Sequence, residues 1–443
     1  MNTPIYDFVR EYQESRTLRL HMPGHKGKAL LGMEELDLTE IAGADSLYEA
    51  DSIIRESEDN ASSLFGCPTF YSTEGSSQCI RAMLRLVCGY AREQGKQPVI
   101  AAGRNAHKTF LTAAILLDFE PVWLTPETPD SYLSCLLTPE EVDRALTETA
   151  AFAVYLTNPD YLGNCADIAG IARVCHAHGA LLLVDNAHGA YLHFLPESMH
   201  PMDLGADLCC ASAHKTLPAL TGAAYLHIAQ NADPYFVREA KNALALFGST
   251  SPSYLILQSL DAVNRYLAED YRDTLAVFVK RVEECQKALT AHGYACVGNE
   301  PMKLTISAKS YGYTGTELAA VLRENGMECE FADPDFLVAM LTPETGAEGL
   351  ERLTAALLSL PRKNQIPDAP PVFSLPERVC SPREAAFAPQ ETLPARSCAG
   401  RILAQANTGC PPAVPIVVCG ERLTPETIDA LLYYGIEFCT VVR

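Results

Sequence analysis

Seven short apolar runs spaced between residues 67 and 229 limit what the chain can fold into. They are CPTFYST (67–73), PVIAAG (98–103), EPVWLT (120–125), AFAVYLT (151–157), ALLLVD (180–185), DLCCAS (207–212) and AAYLHIA (223–229). Most are apolar at both alternating sets of positions, which a strand needs when helices cover both faces of its sheet. The stretches between them, such as SSQCIRAMLRLVCGYAREQG and PEEVDRALTETA, carry helical patterns. Repeated β-α units predict an α/β fold with a mainly parallel, seven-stranded, doubly wound sheet flanked by helices. Ligands of such sheets bind beyond the carboxyl ends of the strands.

The residues just after those runs are therefore the ones to read. LLLVD ends in Asp185, and a carboxylate partly desolvated at a strand end favours a cationic partner. DLCCAS ends at Ser212 and delivers His214 and Lys215 one crossover later. CPTFYST runs into EGSSQ at a helix start, where free N–H groups, the positive helix end and the hydroxyls of Ser76 and Ser77 form an anion cradle. PVIAAG delivers Asn105 and His107, and AFAVYLT delivers Asn158 and Asp160. A phosphate cradle, a buried carboxylate, a flat imidazole and a lysine are the set that pyridoxal phosphate requires. Its phosphate needs the cradle, its pyridine nitrogen a carboxylate, its aldehyde an amine and its ring a face to stack on. Taken singly, each residue also has a plain reading as a cap, a surface histidine or a solvated lysine; their joint arrival at strand ends favours the cofactor.

Length and charge bound the rest. At 443 residues the chain exceeds one compact core. Segments 1–60 (an arm and connecting helix), 61–255 (a large cofactor-binding domain), 256–361 (a small α/β domain), 362–395 (a proline-rich connector) and 396–443 (a C-terminal subdomain) are the expected divisions. A net charge of -21 argues against nucleic acid or an anionic membrane as partner. No signal peptide and no membrane helix are expected. Sixteen scattered cysteines without a CxxC pair fit reduced thiols in a cytoplasm. CHAH at 175–178 falls inside a helical pattern, so no metal site is expected there.

With those residues in view, the sequence resembles the fold-type-I, pyridoxal-phosphate-dependent Orn/Lys/Arg decarboxylases in their short bacterial form. The resemblance rests on LHMPGHKGK (20–28), DLTEIAGADSL (37–47), RNAHKTF (104–110), TNPDYLGNCADI (157–168), VDNAHGA (184–190), SAHKTLPALT (212–221) and STSPSYLILQSLD (249–261), in family order. It implies decarboxylation of lysine, arginine or ornithine to the amine and carbon dioxide. It implies that Lys215 binds the cofactor, Asp185 pairs with the pyridine nitrogen, His107 stacks on the ring and His188 stands near the cofactor or Asp185. Gly75, Ser76 and Ser77 are expected at the phosphate, with Ser212 and His214 assisting. Ser249 and Thr250 are expected to reach the neighbouring subunit's phosphate, making a homodimer the smallest active unit. Glu330 and Asp333 are candidates for the substrate's distal cation.

Four blocks depart from the family pattern. Glu74 replaces an asparagine in the phosphate loop, and Asn186 replaces an acid. GADSLYEA (43–50) lacks two histidines and a proline, and GCPPAVP with CGE loses a tyrosine while keeping Glu421. Two other readings stay open: another fold-type-I activity, an aminotransferase with Arg352 or Arg362 as carboxylate clamp or a lyase, and a non-catalytic binding homologue.

Overall fold

The computed structural model describes residues 1–119, 121–128, 131–406 and 414–443. The strands in chain order are β1 (Thr69–Ser72), β2 (Ile100–Gly103), β3 (Pro121–Leu124), β4 (Ala153–Thr157), β5 (Leu181–Asp185), β6 (Leu208–Ala211), β7 (Ala224–Ile228), β8 (Ala295–Val297), β9 (Lys303–Ser307), β10 (Phe331–Ala332), β11 (Phe336–Met340), β12 (Gln390–Pro394) and β13 (Phe438–Val442). The helices are α1 (Pro4–Glu14), α2 (Ile53–Phe65), α3 (Gly75–Glu93), α4 (Lys108–Leu117), α5 (Pro139–Thr149), α6 (Ile168–Ala177), α7 (Ala213–Thr216), α8 (Pro234–Ala245), α9 (Tyr254–Ala268), α10 (Tyr271–His292), α11 (Gly315–Glu324), α12 (Gly346–Leu358), α13 (Pro382–Phe387) and α14 (Pro425–Tyr433). All seven apolar runs became strands, and CHAH lies at the end of α6, where His178 pairs with Asp143 at 2.7 Å.

The chain divides into two compact units, each assembled from two stretches: 1–97 with 182–274, and 98–181 with 275–443. The first unit contains β1, β7, β6 and most of β5. β5 and β6 are parallel, whereas β7 is antiparallel to both β6 and β1. Two reversals cancel, so β1 runs the same way as β5 and β6. The carboxyl ends of those three strands therefore share one edge. Their side chains are buried on both faces, as the double apolar pattern requires.

Departures in the first unit have local causes. In GADSLYEA, the buried Asp45 accepts the N–H groups of Ser52 and Ile54 at 2.9 and 3.1 Å, capping α2 in place of the side chain of Ser52. Tyr48 of the same segment accepts from Gln78 Nε2 at 2.8 Å, and Gln78 Oε1 receives the Ser72 hydroxyl at 2.6 Å. The altered segment thus braces the turn between β1 and α3.

In the second unit β2 pairs in parallel with both β3 and β4. Their carboxyl ends release Arg104, Thr125 and Asn158. A four-stranded antiparallel sheet runs β10-β11-β9-β8, and β12 pairs with β13. The last pairing joins the end of the proline-rich segment to the C-terminus. An apolar core from Tyr132, Leu162, Phe331, Val338, Leu403, Ile416, Leu431 and Val441 lies beneath these elements. The GCPPAV stretch, except its last residue, lies outside the described residues.

Candidate active site

Lys215 sits on the single-turn helix α7, immediately past β6, and Asp185 is the last residue of the neighbouring parallel strand β5. Asp185 is buried, and its Oδ1 accepts the N–H of Ala187 at 3.2 Å and the thiol of Cys210 at 3.4 Å. Cys210 stands directly opposite Asp185 in the strand register. Burial, followed by the charge of Asp185, pushes the Cys210 thiol far up, so it stays protonated and remains a donor.

The turn after Asp185 explains its sequence. Asn186 is buried; its N–H donates to Cys210 O at 2.9 Å and its Nδ2 to Gly189 O at 3.0 Å, while Gly189 N–H donates back to Asn186 O at 3.0 Å. A carboxylate at this position would lack the amide donor. A methyl group on Gly189 would stand 2.0 Å from Asn186 Oδ1, so this knot requires glycine. The knot presents His188, whose Nε2 lies 2.8 Å from Lys215 Nζ. A buried imidazole, a lysine amine and a carboxylate thus gather at one sheet edge.

The helix start after β1 belongs to the same unit. Gly75 has φ +72 and open space where a Cβ would project. Its N–H donates to Gly222 O at 2.8 Å, and His214 Nδ1 lies 2.8 Å from the carbonyl of the next residue, Ala223. The loop at 74–77 and the AHKT turn are therefore hooked onto one turn, Gly222–Ala223. Glu74 makes no cap; its exposed carboxylate lies 3.4 Å from the N–H of Ser249. Ser249 and Thr250 are exposed.

Two buried hydroxyls on the AHKT turn, Ser212 Oγ and Thr216 Oγ1, have no hydrogen-bond partner among the described residues. Leaving a buried hydroxyl unpaired costs roughly 1–3 kcal/mol. Ligand oxygens would remove that cost, and the N-terminus of the 19-residue helix α3 favours an anion. Amine, carboxylate, helix start and orphaned hydroxyls together fit pyridoxal phosphate. Thr216 and Cys210 escaped the sequence reading: nothing in the linear pattern marks an orphaned threonine, and the Cys210 contact depends on strand register.

His107 is described within the second unit. It is the N-cap of α4, its Nδ1 accepting the Thr109 N–H at 3.2 Å, so the ring is held by the helix start. Lys108 is exposed. Asp160 is buried and accepts from Ser134 Oγ at 2.6 Å and Asn164 Nδ2 at 2.9 Å, a structural brace. Glu330 is exposed and accepts the Tyr161 hydroxyl at 2.9 Å. Asp333 is buried, its Oδ1 accepting the N–H groups of Asp335 and Phe336 at 2.8 and 2.6 Å. Burial pushes its carboxyl up to about 6.

The family model described as the Orn/Lys/Arg decarboxylase major domain matches residues 3–300. The arginine decarboxylase of Bacillus subtilis (strain 168) is 31% identical, over 96% of this chain and 92% of that protein. The arginine decarboxylase of Halalkalibacterium halodurans is 30% identical over the same shares. Among solved structures, the Escherichia coli constitutive lysine decarboxylase superposes with a TM-score of 0.78 at 19% identity, covering 100% of this chain and 82% of that one. Lysine decarboxylase A from Pseudomonas aeruginosa gives 0.80 at 18% identity, covering 98% and 76%. These establish the α/β fold with its large, mostly parallel sheet. Matched by the family model over most of its length, the chain belongs to the Orn/Lys/Arg decarboxylase family, enzymes that decarboxylate basic amino acids.

Proposed function

We propose that the protein is a pyridoxal-phosphate-dependent arginine decarboxylase. The observation that carries the cofactor assignment is the contact of Lys215 Nζ with His188 Nε2 at 2.8 Å, one strand from the buried Asp185. The observation that favours arginine is the naming of two relatives of 30–31% identity and nearly full length as arginine decarboxylases. When bound, pyridoxal phosphate supplies an electron sink for the bond that breaks.

The chain's own residues do the rest. Lys215 offers the amine that holds the cofactor, and His188 holds or delivers a proton at that amine. Asp185, held by Ala187 and Cys210, would pair with the pyridine nitrogen. His107, whose Nδ1 accepts the Thr109 N–H, would offer the ring a face to stack on. Gly75, Ser76, Ser77, Ser212 and His214 would hold the phosphate at the start of α3. Glu330 keeps an exposed carboxylate for the substrate guanidinium, whereas Asp333 is spent on its turn. Ser249 and Thr250 reach the second subunit's phosphate; the exposed Leu18, Leu20, Leu30 and Leu31 of the N-terminal arm support a homodimer. The buried thiols support a cytoplasmic setting.

The test is product analysis of purified, cofactor-loaded protein supplied with arginine, lysine and ornithine. Agmatine with carbon dioxide is expected; a higher kcat/KM for cadaverine or putrescine formation refutes arginine. Borohydride reduction followed by peptide mass mapping is expected to fix the cofactor on Lys215, and a label elsewhere overturns that assignment. Mixing a Lys215→Ala chain with a Thr250→Ala chain should restore activity beyond either alone if sites are shared.

A further inference from the structure

The CGE turn near the C-terminus has no part in the reaction as described, yet it holds one end of a buried ion pair. Arg104 Nη2 lies 2.9 Å from Glu421 Oε2, and the two side chains are 2% and 3% exposed. The guanidinium also donates to Pro415 O at 3.2 Å and Ile416 O at 3.3 Å. Its face packs over Trp123 at 5.0 Å. Glu421 Oε2 accepts the Val418 N–H at 2.6 Å as well. Three groups of residues 415–421, two carbonyls and one carboxylate, thus converge on the Arg104 side chain, and that side chain begins the loop Arg104–His107. Arg104 N–H is itself anchored on Leu124 O at 2.9 Å, so the loop's start is fixed at both its backbone and its guanidinium.

We infer that the Arg104–Glu421 pair is a positioning device by which the C-terminal turn sets the pose of the His107 imidazole. The inference rests on the reading that His107 covers the cofactor ring. The pair spans 317 residues of sequence, whereas only two residues separate Arg104 from His107. A buried ion pair that loses one partner leaves the other charge uncompensated, and the loop that carries it must move. Here the stranded group would be the guanidinium, and the moving loop would be the one that ends at the N-cap of α4. Glu421 acts through Arg104 and His107.

The experiment compares Glu421→Gln, His107→Ala and the double variant as full-length chains. The readouts are the cofactor dissociation constant, the visible circular dichroism of bound pyridoxal phosphate, and kcat with KM. Glu421→Gln is expected to keep the far-ultraviolet spectrum yet weaken cofactor binding roughly tenfold and diminish the visible signal. The double variant is expected to match His107→Ala alone, because a residue acting through His107 adds nothing once the imidazole is gone. Additive losses, or a Glu421→Gln protein that binds and signals as the parent while His107→Ala does not, overturn the proposal. A His107→Ala protein with unchanged binding and signal overturns instead the ring-covering role, and the proposal with it. Should Glu421→Gln fail to fold, the neutral pair Arg104→Gln/Glu421→Gln takes its place with the same expected and refuting results.

Discussion

Protonating the buried histidines of the first unit is expected to destabilise it as the pH falls. His200 and His227 are both fully buried, and their rings meet edge to face at 5.3 Å. Phe65 packs on both, and His193 stands 6.0 Å from His200 while pairing with Asp203 at 2.6 Å. Burial, reinforced by His193 and opposed by Asp203, pushes the His200 imidazole from 6.5 down to about 3. The folded state therefore stays unprotonated where the unfolded chain takes up a proton. Stability contributed by the neutral ring is complete above 6.5 and is lost as the pH falls from there toward 3. At about pH 5 some 1.5 units of that window have been crossed, which at 1.36 kcal/mol per unit is about 2 kcal/mol. Asp261 and Asp333, which burial raises from 3.8 to about 6, act with the opposite sign below 6. The parent profile is thus a sum, and a difference is needed. His200→Asn keeps an acceptor for the Met202 N–H, which His200 Nδ1 now receives at 3.3 Å, and cannot titrate. Urea denaturation of both proteins at about pH 7.5 and 5 is expected to show the parent losing about 2 kcal/mol more than the variant. Equal losses would refute the argument that this ring is held neutral by the fold.

Three further outcomes are expected. Ser212→Ala should weaken cofactor affinity about tenfold, measured by equilibrium dialysis, while leaving the cofactor-free protein as stable or slightly more so, because the hydroxyl has no partner among the described residues to lose. Gly189→Ala should cost about 3 kcal/mol in thermal denaturation, since the new methyl meets Asn186 Oδ1 and Leu192 Cδ1 within a buried knot. His188→Gln should lower kcat by roughly a hundredfold with little change in KM, as expected for a lost proton-transfer group; a change confined to KM would assign the residue to binding instead.

The strands were legible in sequence because their residues are apolar on both faces, a pattern that short helices and loops do not share. Strand direction was not: CPTFYST and AAYLHIA read like the others, yet β7 runs against both of its neighbours. The repeated AHKT shows the same limit at a finer scale. In one copy His107 is the cap and Lys108 begins a helix on the outside; in the other, all four residues form one turn and Lys215 faces His188. Strand ends and helix starts drew attention to Asp185, His107 and Lys215. The Cys210 thiol on Asp185 depends on register, and the Arg104–Glu421 pair joins residues 317 positions apart. Asp333 read as a candidate for the substrate's distal cation, and the backbone N–H groups that occupy its carboxylate become visible only in three dimensions.

The first unit is discontinuous, and this bears on how the chain is made. β1 pairs along β7, Thr69 opposite His227, 158 residues later. At ~5–20 residues per second, ribosomes need roughly 8–30 seconds to supply that partner. During that interval residues 98–181, the first stretch of the second unit, emerge, while the TFYS strand waits with its backbone groups unclaimed. Nascent chains of this protein therefore pass through a stage in which an early strand edge is open to wrong neighbours, and slowed translation before residue 224 would lengthen it.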